Sequence, residues 1–204
     1  MSSHPTRPFR IVVTGGPGGG KTTAADLFRR ELGTRIVAVP ESATLLFSGG
    51  FPRYEEPDAR IAAQTAIFHV QQNLEDMQAA KHPNRILLCD RGTIDGAAYW
   101  PGAPEGFFKH LGTTMAEQLA RYDGVIFFET AAAGGLSIEG NNPTRTEDAT
   151  TAVLLDRALH GLWSQHPRFS FVPNNHSFFG KISRGFEALQ AMVAALHNGG
   201  REAP

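Results

Sequence analysis

The 204-residue sequence predicts an α/β domain of three layers, with helices on both faces of a five-stranded parallel sheet. Two observations carry that expectation. Short β-branched runs alternate with longer segments of helical periodicity, and a glycine-rich stretch ending in lysine joins the first run to the first helix. Phe9 to Thr14 (FRIVVT) reads as a buried strand. The helix after it carries Ala24, Leu27, Phe28 and Leu32 on one stripe and stops at Gly33. Ile36 to Val39 is a second strand closed by Pro40, and Gly49 to Asp58 is a turn-rich loop. From Asp58 to about Lys81 the spacing predicts a long helix, with Ala63, Ile67, Val70, Leu74 and Met77 as its buried face.

Ile86 to Asp90 and Gly124 to Phe128 are the third and fourth strands. Thr114 with Glu117 forms a capping box that opens a short helix before the fourth strand. Thr144 with Glu147 forms a second, leading a helix that carries Leu155, Leu159, Leu162 and Trp163 and ends before Pro167. A fifth strand, Phe169 to Val172, and a last helix with Phe179, Ile182, Phe186, Leu189, Val193 and Leu196 complete the chain. No repeat or linker divides it, so residues 1–204 read as one domain, with the glycine- and alanine-rich region 131–150 as a mobile lid.

Composition narrows the function classes. Lysine plus arginine number 19 against 20 acids, a formal charge of -1, which provides no global field for DNA, RNA or an anionic membrane. One cysteine, Cys89, excludes an intramolecular disulfide and suits a reducing compartment. No run approaches the roughly 18 to 20 apolar residues that cross a bilayer. The opening MSSHPTRPFR lacks the apolar stretch of a secretion signal. The expectation is a cytoplasmic protein that neither inserts into membranes nor binds nucleic acid; an oligomer is compatible with the sequence but has no support in it.

The most specific motif is GGPGGGKTT, Gly15 to Thr23. It matches G-x-x-x-x-G-K-[ST] and lies between a strand and a helix, where a phosphate-binding loop must lie. Gly15, Gly16, Pro17, Gly18, Gly19 and Gly20 form the nucleotide-binding loop, whose glycines let backbone N–H groups approach a polyphosphate without side chains in the way. Lys21 reaches the β- and γ-phosphates, the Thr22 hydroxyl ligates Mg²⁺, and Thr23 ends the nucleotide-binding stretch. Asp90 ends the third strand at the same sheet edge and is the second Mg²⁺ ligand. Arg91 follows it, where motor-type ATPases place a water-activating acid; a guanidinium suits phosphoryl transfer better. Glu41, after the second strand, points to the same rim and is a candidate base for an acceptor hydroxyl; otherwise it is a solvated acid or a helix cap.

GGPGGGKTT, VPESA (Val39 to Ala43), CDRGTIDGAAYW (Cys89 to Trp100) and NPTRTED (Asn142 to Asp148) together resemble the AAA_28 family of P-loop proteins, near the nucleoside, nucleotide and ribosylnicotinamide kinases. The resemblance runs from about Phe9 to Leu196 and implies the sheet order 2-3-1-4-5, nucleotide binding and a kinase-like site. By that resemblance Glu41 is the base, and Asp90 with Arg91 supports Mg²⁺ and the transferring phosphoryl group. Arg145 is then a lid arginine that closes over the phosphates; the alternative is a surface arginine paired with Glu147 or Asp148. Despite the family's label, Arg91 and the small size argue against a ring-forming mechanical ATPase.

For the acceptor, Gln64, Phe68, Gln71 and Glu75 form a second stripe on the long helix, and kinases of that neighbourhood contact their acceptors in this region. Amides around an aromatic could read a base or sugar; a solvated face with Phe68 filling a gap explains the stripe equally well. Asp95, Tyr99 and Trp100 are candidates for the same cleft. Asn174 and Asn175 follow the fifth strand, where related folds hold the nucleotide base, though turn formation explains them too. The eight histidines show no metal-ligand spacing. The reading is an ATP·Mg²⁺-dependent phosphotransferase acting on a small, nucleoside-like or other hydroxyl or phosphate acceptor. Its rival is a regulatory NTP-binding switch acting on a protein or lipid partner. No N/T-K-x-D guanine-reading segment is present, which leans toward ATP.

Overall fold

The computed structural model describes residues 7–134, 148–175 and 177–199. Five parallel strands form one sheet: β1 (Arg10–Thr14), β2 (Ile36–Val39), β3 (Ile86–Asp90), β4 (Gly124–Phe128) and β5 (Phe169–Val172). Their spatial order is β2-β3-β1-β4-β5, as expected. β1 is central, and all five of its residues are buried. In register, Val12 lies beside Cys89 on one side and Val125 on the other.

The pleat divides the core in two. Val12, Val39, Leu87, Cys89, Val125 and Phe127 face one layer of helices. That layer holds α3 (Pro57–Lys81), α4 (Pro104–His110), α5 (Met115–Leu119) and α6 (Ala149–Trp163). Ile11, Val13, Leu88, Ile126 and Phe128 face the other, where α1 (Lys21–Leu32) and α7 (Phe178–Gly199) pack. Gly33 closes α1 at φ 55°, a conformation that favours glycine. The predicted capping box opens α5: Thr114 accepts from the Glu117 N–H, and Glu117 accepts from the Thr114 N–H. Asp148 caps α6 by accepting from the Thr151 N–H at 2.7 Å; the Thr144–Glu147 box and Arg145 lie outside the described residues.

Several elements escaped the periodicity because each is too short to show a stripe: α2 (Ser42–Ser48), α4, and 3₁₀ turns over Gly33–Arg35, Asp95–Tyr99 and Ala131–Gly134. The buried face of α3 also differs from expectation. Met77 is 68% exposed and Ile67, Val70 and Leu74 are only half-buried, whereas Phe68, Gln71 (1% exposed) and Glu75 (0%) point inward with Ala63. The stripe of Gln64, Phe68, Gln71 and Glu75 is therefore no solvated face. Its polar members tolerate burial because partners await them. Glu75 accepts from the Tyr122 hydroxyl at 2.7 Å and from Arg121 at 3.0 Å, and Arg10 approaches it at 3.6 Å. Burial raises the Glu75 pKa even against those cations. On α7, Phe179 is 77% exposed rather than in the core.

Truncating Glu75 to alanine leaves Arg10 and Arg121 with the exposed Asp76 as their remaining acidic partner and is expected to cost about 3 kcal/mol in urea unfolding. Met77→Ala is expected to stay within about 0.5 kcal/mol, the ordinary range for an exposed position. The apolar-stripe reading of α3 predicts the reverse order.

Candidate functional site

The loop after β1 must turn sharply beneath the carboxyl end of β4. Gly15 does so at φ 134°, and a Cβ there would lie 2.0 Å from the Phe128 carbonyl oxygen. Side chains then hold the loop from behind. The Asp156 carboxylate on α6 accepts from the Gly16 N–H at 2.8 Å and the Thr130 N–H at 2.9 Å. Thr130 donates its hydroxyl to the Pro17 carbonyl at 2.5 Å. The buried Lys181 ammonium donates to the Glu129 carbonyl, and burial lowers its pKa to about 8. Sequence reasoning missed Asp156, Thr130 and Lys181. Asp156 was visible in principle, as a lone acid among Ala152, Leu159 and Trp163 on an apolar helical stripe.

No side chain caps α1, whose N-cap is Gly20, so its first N–H groups remain available to an anion. Lys21 is buried and donates its Nζ to the Gly16 carbonyl at 2.7 Å. Burial, and then the charge of Arg91, lower its pKa to about 7. The Thr22 hydroxyl donates to Asp90 Oδ2 at 3.0 Å. This juxtaposition of a hydroxyl and a carboxylate is an all-oxygen pair of the kind Mg²⁺ accepts, so the residues fit that ion. Burial, and then the neighbouring Glu41, raise the Asp90 pKa to about 6. Among the described residues no group of three or more His, Cys, Asp or Glu side chains is placed to hold a metal ion.

Arg91 is the only non-glycine among the described residues with positive φ, at 66°. Its N–H donates to the Val13 carbonyl at 3.0 Å, and its own carbonyl accepts from the Gln71 amide at 3.4 Å. Its guanidinium pairs through Nε with Glu41 and through Nη1 with Asp95 at 2.8 Å. Glu41 occupies the N-cap position of α2, but its carboxylate turns to Arg91 and accepts the Thr44 hydroxyl at 2.5 Å. Burial pushes its pKa up, yet Arg91, Thr44 and Lys21 outweigh that and hold it below the usual glutamate range.

A cavity of about 450 Å³ opens from this cluster. Lys21 and Thr22 line one part, with Glu41 and Arg91 beside them. Gln64 and Tyr99, two of the expected acceptor contacts, line it as well. Phe68 and Gln71 do not. Phe68 packs edge-on against Phe107 in the core. Gln71 ties the start of α2 to the loop after β3 by accepting from the Ser42 N–H at 3.3 Å and donating to the Arg91 carbonyl. Trp100 is buried against Phe107 and His110. Asp95 borders the cavity, but its carboxylate already accepts from Thr14, Arg91, the Gly92 N–H and Trp163, at 2.7 to 3.1 Å. It positions Arg91 and has little accepting capacity left for a ligand.

A second cleft of about 250 Å³ lies at the ends of β4 and β5, lined by Glu129, Ala133, Gly134, Asn174 and Asn175. The Asn174 N–H donates to Glu129 Oε2 at 2.7 Å. The half-exposed Phe178 ring lies against Gly20, where a Cβ would stand 2.9 Å from it. A flat ring and a polar cleft thus flank the phosphate loop.

The two shifted groups make nucleotide binding pH-dependent. Phosphates favour charged Lys21, so at pH 8, above its pKa of about 7, binding of a magnesium nucleoside triphosphate is expected to take up about one proton. Below pH 6 Asp90 is largely protonated, and the ion must displace that proton, so binding shifts toward proton release and weakens. Calorimetry in buffers of different ionisation enthalpy measures both; Asp90→Asn removes the acidic limb and, by taking a negative charge from beside Lys21, lowers the lysine pKa further.

The AAA_28 family profile, described as an AAA domain, matches residues 10–176. No curated protein matches the chain. Among the described residues, no helix is long and apolar enough to cross a membrane.

Proposed function

Because this chain belongs to the AAA_28 family of P-loop nucleotide-binding proteins, we propose that it is a cytoplasmic, ATP·Mg²⁺-dependent phosphotransferase acting on a small-molecule acceptor. The observation that carries this reading is the Glu41–Arg91 ion pair in the same cavity as Lys21 and Thr22. A site for water activation needs a carboxylate beside the γ-phosphate with room for one water. Here the cavity extends beyond the acid to Gln64 and Tyr99, with space for an acceptor larger than one water.

Thr22 and Asp90 would hold Mg²⁺, which would neutralise charge on the phosphate oxygens. Lys21 leaves the Gly16 carbonyl for the β- and γ-phosphates. Arg91, fixed by Asp95, offers its fork to the γ-phosphoryl oxygens. The acceptor oxygen bonds to the γ-phosphorus as the bond to the ADP oxygen breaks, and the hydroxyl proton passes to Glu41. Its low pKa keeps Glu41 ionised and makes it a weak base. A loose phosphoryl-transfer transition state asks little of a base beyond orienting the hydroxyl.

The test uses γ-labelled ATP with a pool of small hydroxyl compounds. Lys21→Ala is expected to weaken Mg²⁺·ATP binding at least about tenfold. Glu41→Gln is expected to retain binding within about threefold while labelled product falls about a hundredfold or more. Undiminished turnover in the Glu41 variant removes that residue from the reaction. Label recovered only as inorganic phosphate defeats the transferase reading in favour of an NTP-hydrolysing switch.

A further inference from the structure

Behind the phosphate loop stands an acid that the loop's own chemistry does not call for. Five of the six residues from Gly15 to Gly20 are glycine, the residue that loses most conformational entropy when it is fixed. A ligand that had to order such a loop as it bound would lose affinity by that amount. A carboxylate close to an anion site also repels the anion. Asp156, midway along α6, is nonetheless buried there.

Both bonds that its Oδ1 accepts come from backbone: the Gly16 N–H at 2.8 Å and the Thr130 N–H at 2.9 Å. One oxygen thus clamps the loop to the turn after β4. The Gly16 carbonyl is fixed as well, by the Gly19 N–H at 3.3 Å and by Lys21 Nζ. The Lys21 bond must open when the ammonium turns to a phosphate. The Asp156 bond need not, because Pro17, Lys21 and Thr22 line the cavity whereas Gly16 and Asp156 do not. The approach is close: a Cβ on Gly16 would stand 2.5 Å from Asp156 Oδ1 and 2.7 Å from its Cβ. The spacing G-x-x-x-x-G-K-[ST] leaves this position free, so glycine here answers to Asp156 rather than to the phosphates.

The surroundings make the acid tolerable. Burial raises the Asp156 pKa, and the two N–H bonds offset part of that rise. The buried Lys181 ammonium feels the Asp156 charge and balances some of its repulsion toward an anion. The helix that carries the clamp is itself tied to the site. Thr151 and Leu155 line the cavity, and Trp163 at the helix end donates to Asp95 at 3.0 Å.

We propose that Asp156 is a positioning residue of the nucleotide site, whose Oδ1 holds the Gly16 N–H and so shapes the loop for a polyphosphate before the ligand arrives. It acts as a hydrogen-bond acceptor, and its negative charge is incidental to binding. The inference concerns the shape of the loop and applies to a transferase and to a hydrolysing switch alike.

Calorimetry with Mg²⁺ and non-hydrolysable analogues of ATP and GTP tests it, using whichever analogue binds the wild-type protein. Asp156→Ala is expected to bind at least about tenfold more weakly than wild type. Asp156→Asn presents an oxygen on the same stem and is expected to recover most of that loss, a rescue that a need for charge would not allow. Amide exchange supplies a measurement that no unfolded variant can spoil. In wild-type protein without nucleotide the Gly16 N–H is expected to be protected already, and to stay so in the Asn variant. Binding by the Ala variant within about threefold of wild type, or by the Asn variant more than about tenfold weaker, overturns the inference. So does a Gly16 N–H that exchanges freely until nucleotide is added. Label recovered only as inorganic phosphate ends the transferase reading but alters none of these outcomes.

Discussion

The carboxylate of Asp95 is the constraint from which the rest of the site follows. It collects donors from three separate elements: Thr14 at the end of β1, Arg91 and Gly92 after β3, and Trp163 at the end of α6. A buried carboxylate is costly alone, and each of these donors offsets part of that cost. In return the central strand, the loop after β3 and a flanking helix are locked at one point. Arg91 is thereby held with its guanidinium between Asp95 and Glu41, although its backbone must sit at a φ of 66° that residues with side chains rarely adopt. Gln71 adds a second tie, joining the Arg91 carbonyl to the start of the helix that Glu41 precedes.

A parallel order of β2-β3-β1-β4-β5 puts the carboxyl ends of all five strands on one edge. The phosphate loop, Glu41, Asp90–Arg91, Thr130 and Asn174 emerge along it from successive strands. Chemistry of several kinds is concentrated there because the fold gives each strand end a loop and each loop a different charge. The interior of the same domain is unusually polar on the α3 side, where Glu75, Arg10, Arg121 and Tyr122 form a closed group at the far end of the helix that carries Arg60 and Gln64. That group anchors α3 to β1 and to the segment before β4, so the α3 wall of the cavity is supported by ion pairs as well as apolar contacts.

Much of this was legible in the sequence, for identifiable reasons. The strands stood out because buried parallel strands are continuous β-branched and apolar runs. The phosphate loop stood out because its chemistry demands glycines and a lysine at fixed spacing. Thr22 and Asp90 follow from that motif and from the end of β3. The α3 interior was not legible, since helical periodicity assumes that buried means apolar. Gln71 and Glu75 are buried because Ser42, Arg91, Arg121 and Tyr122 satisfy them, and all four lie on other, distant parts of the chain. Asp95 belonged to the right neighbourhood but to a different role, since only three-dimensional contacts reveal that its oxygens are already occupied. Asp156 and Lys181 depend likewise on contacts between α6, α7 and the loop after β4.

A crystal structure with Mg²⁺ and a non-hydrolysable ATP analogue tests the central claim most directly, because it locates the Arg91 guanidinium against the γ-phosphate. The account predicts Arg91 still bonded to Asp95, with a second donor about 3 Å from a γ-phosphate oxygen and Thr22 and Asp90 on the ion's side. An Arg91 that remains turned to Glu41 and beyond hydrogen-bond reach of the phosphate contradicts it.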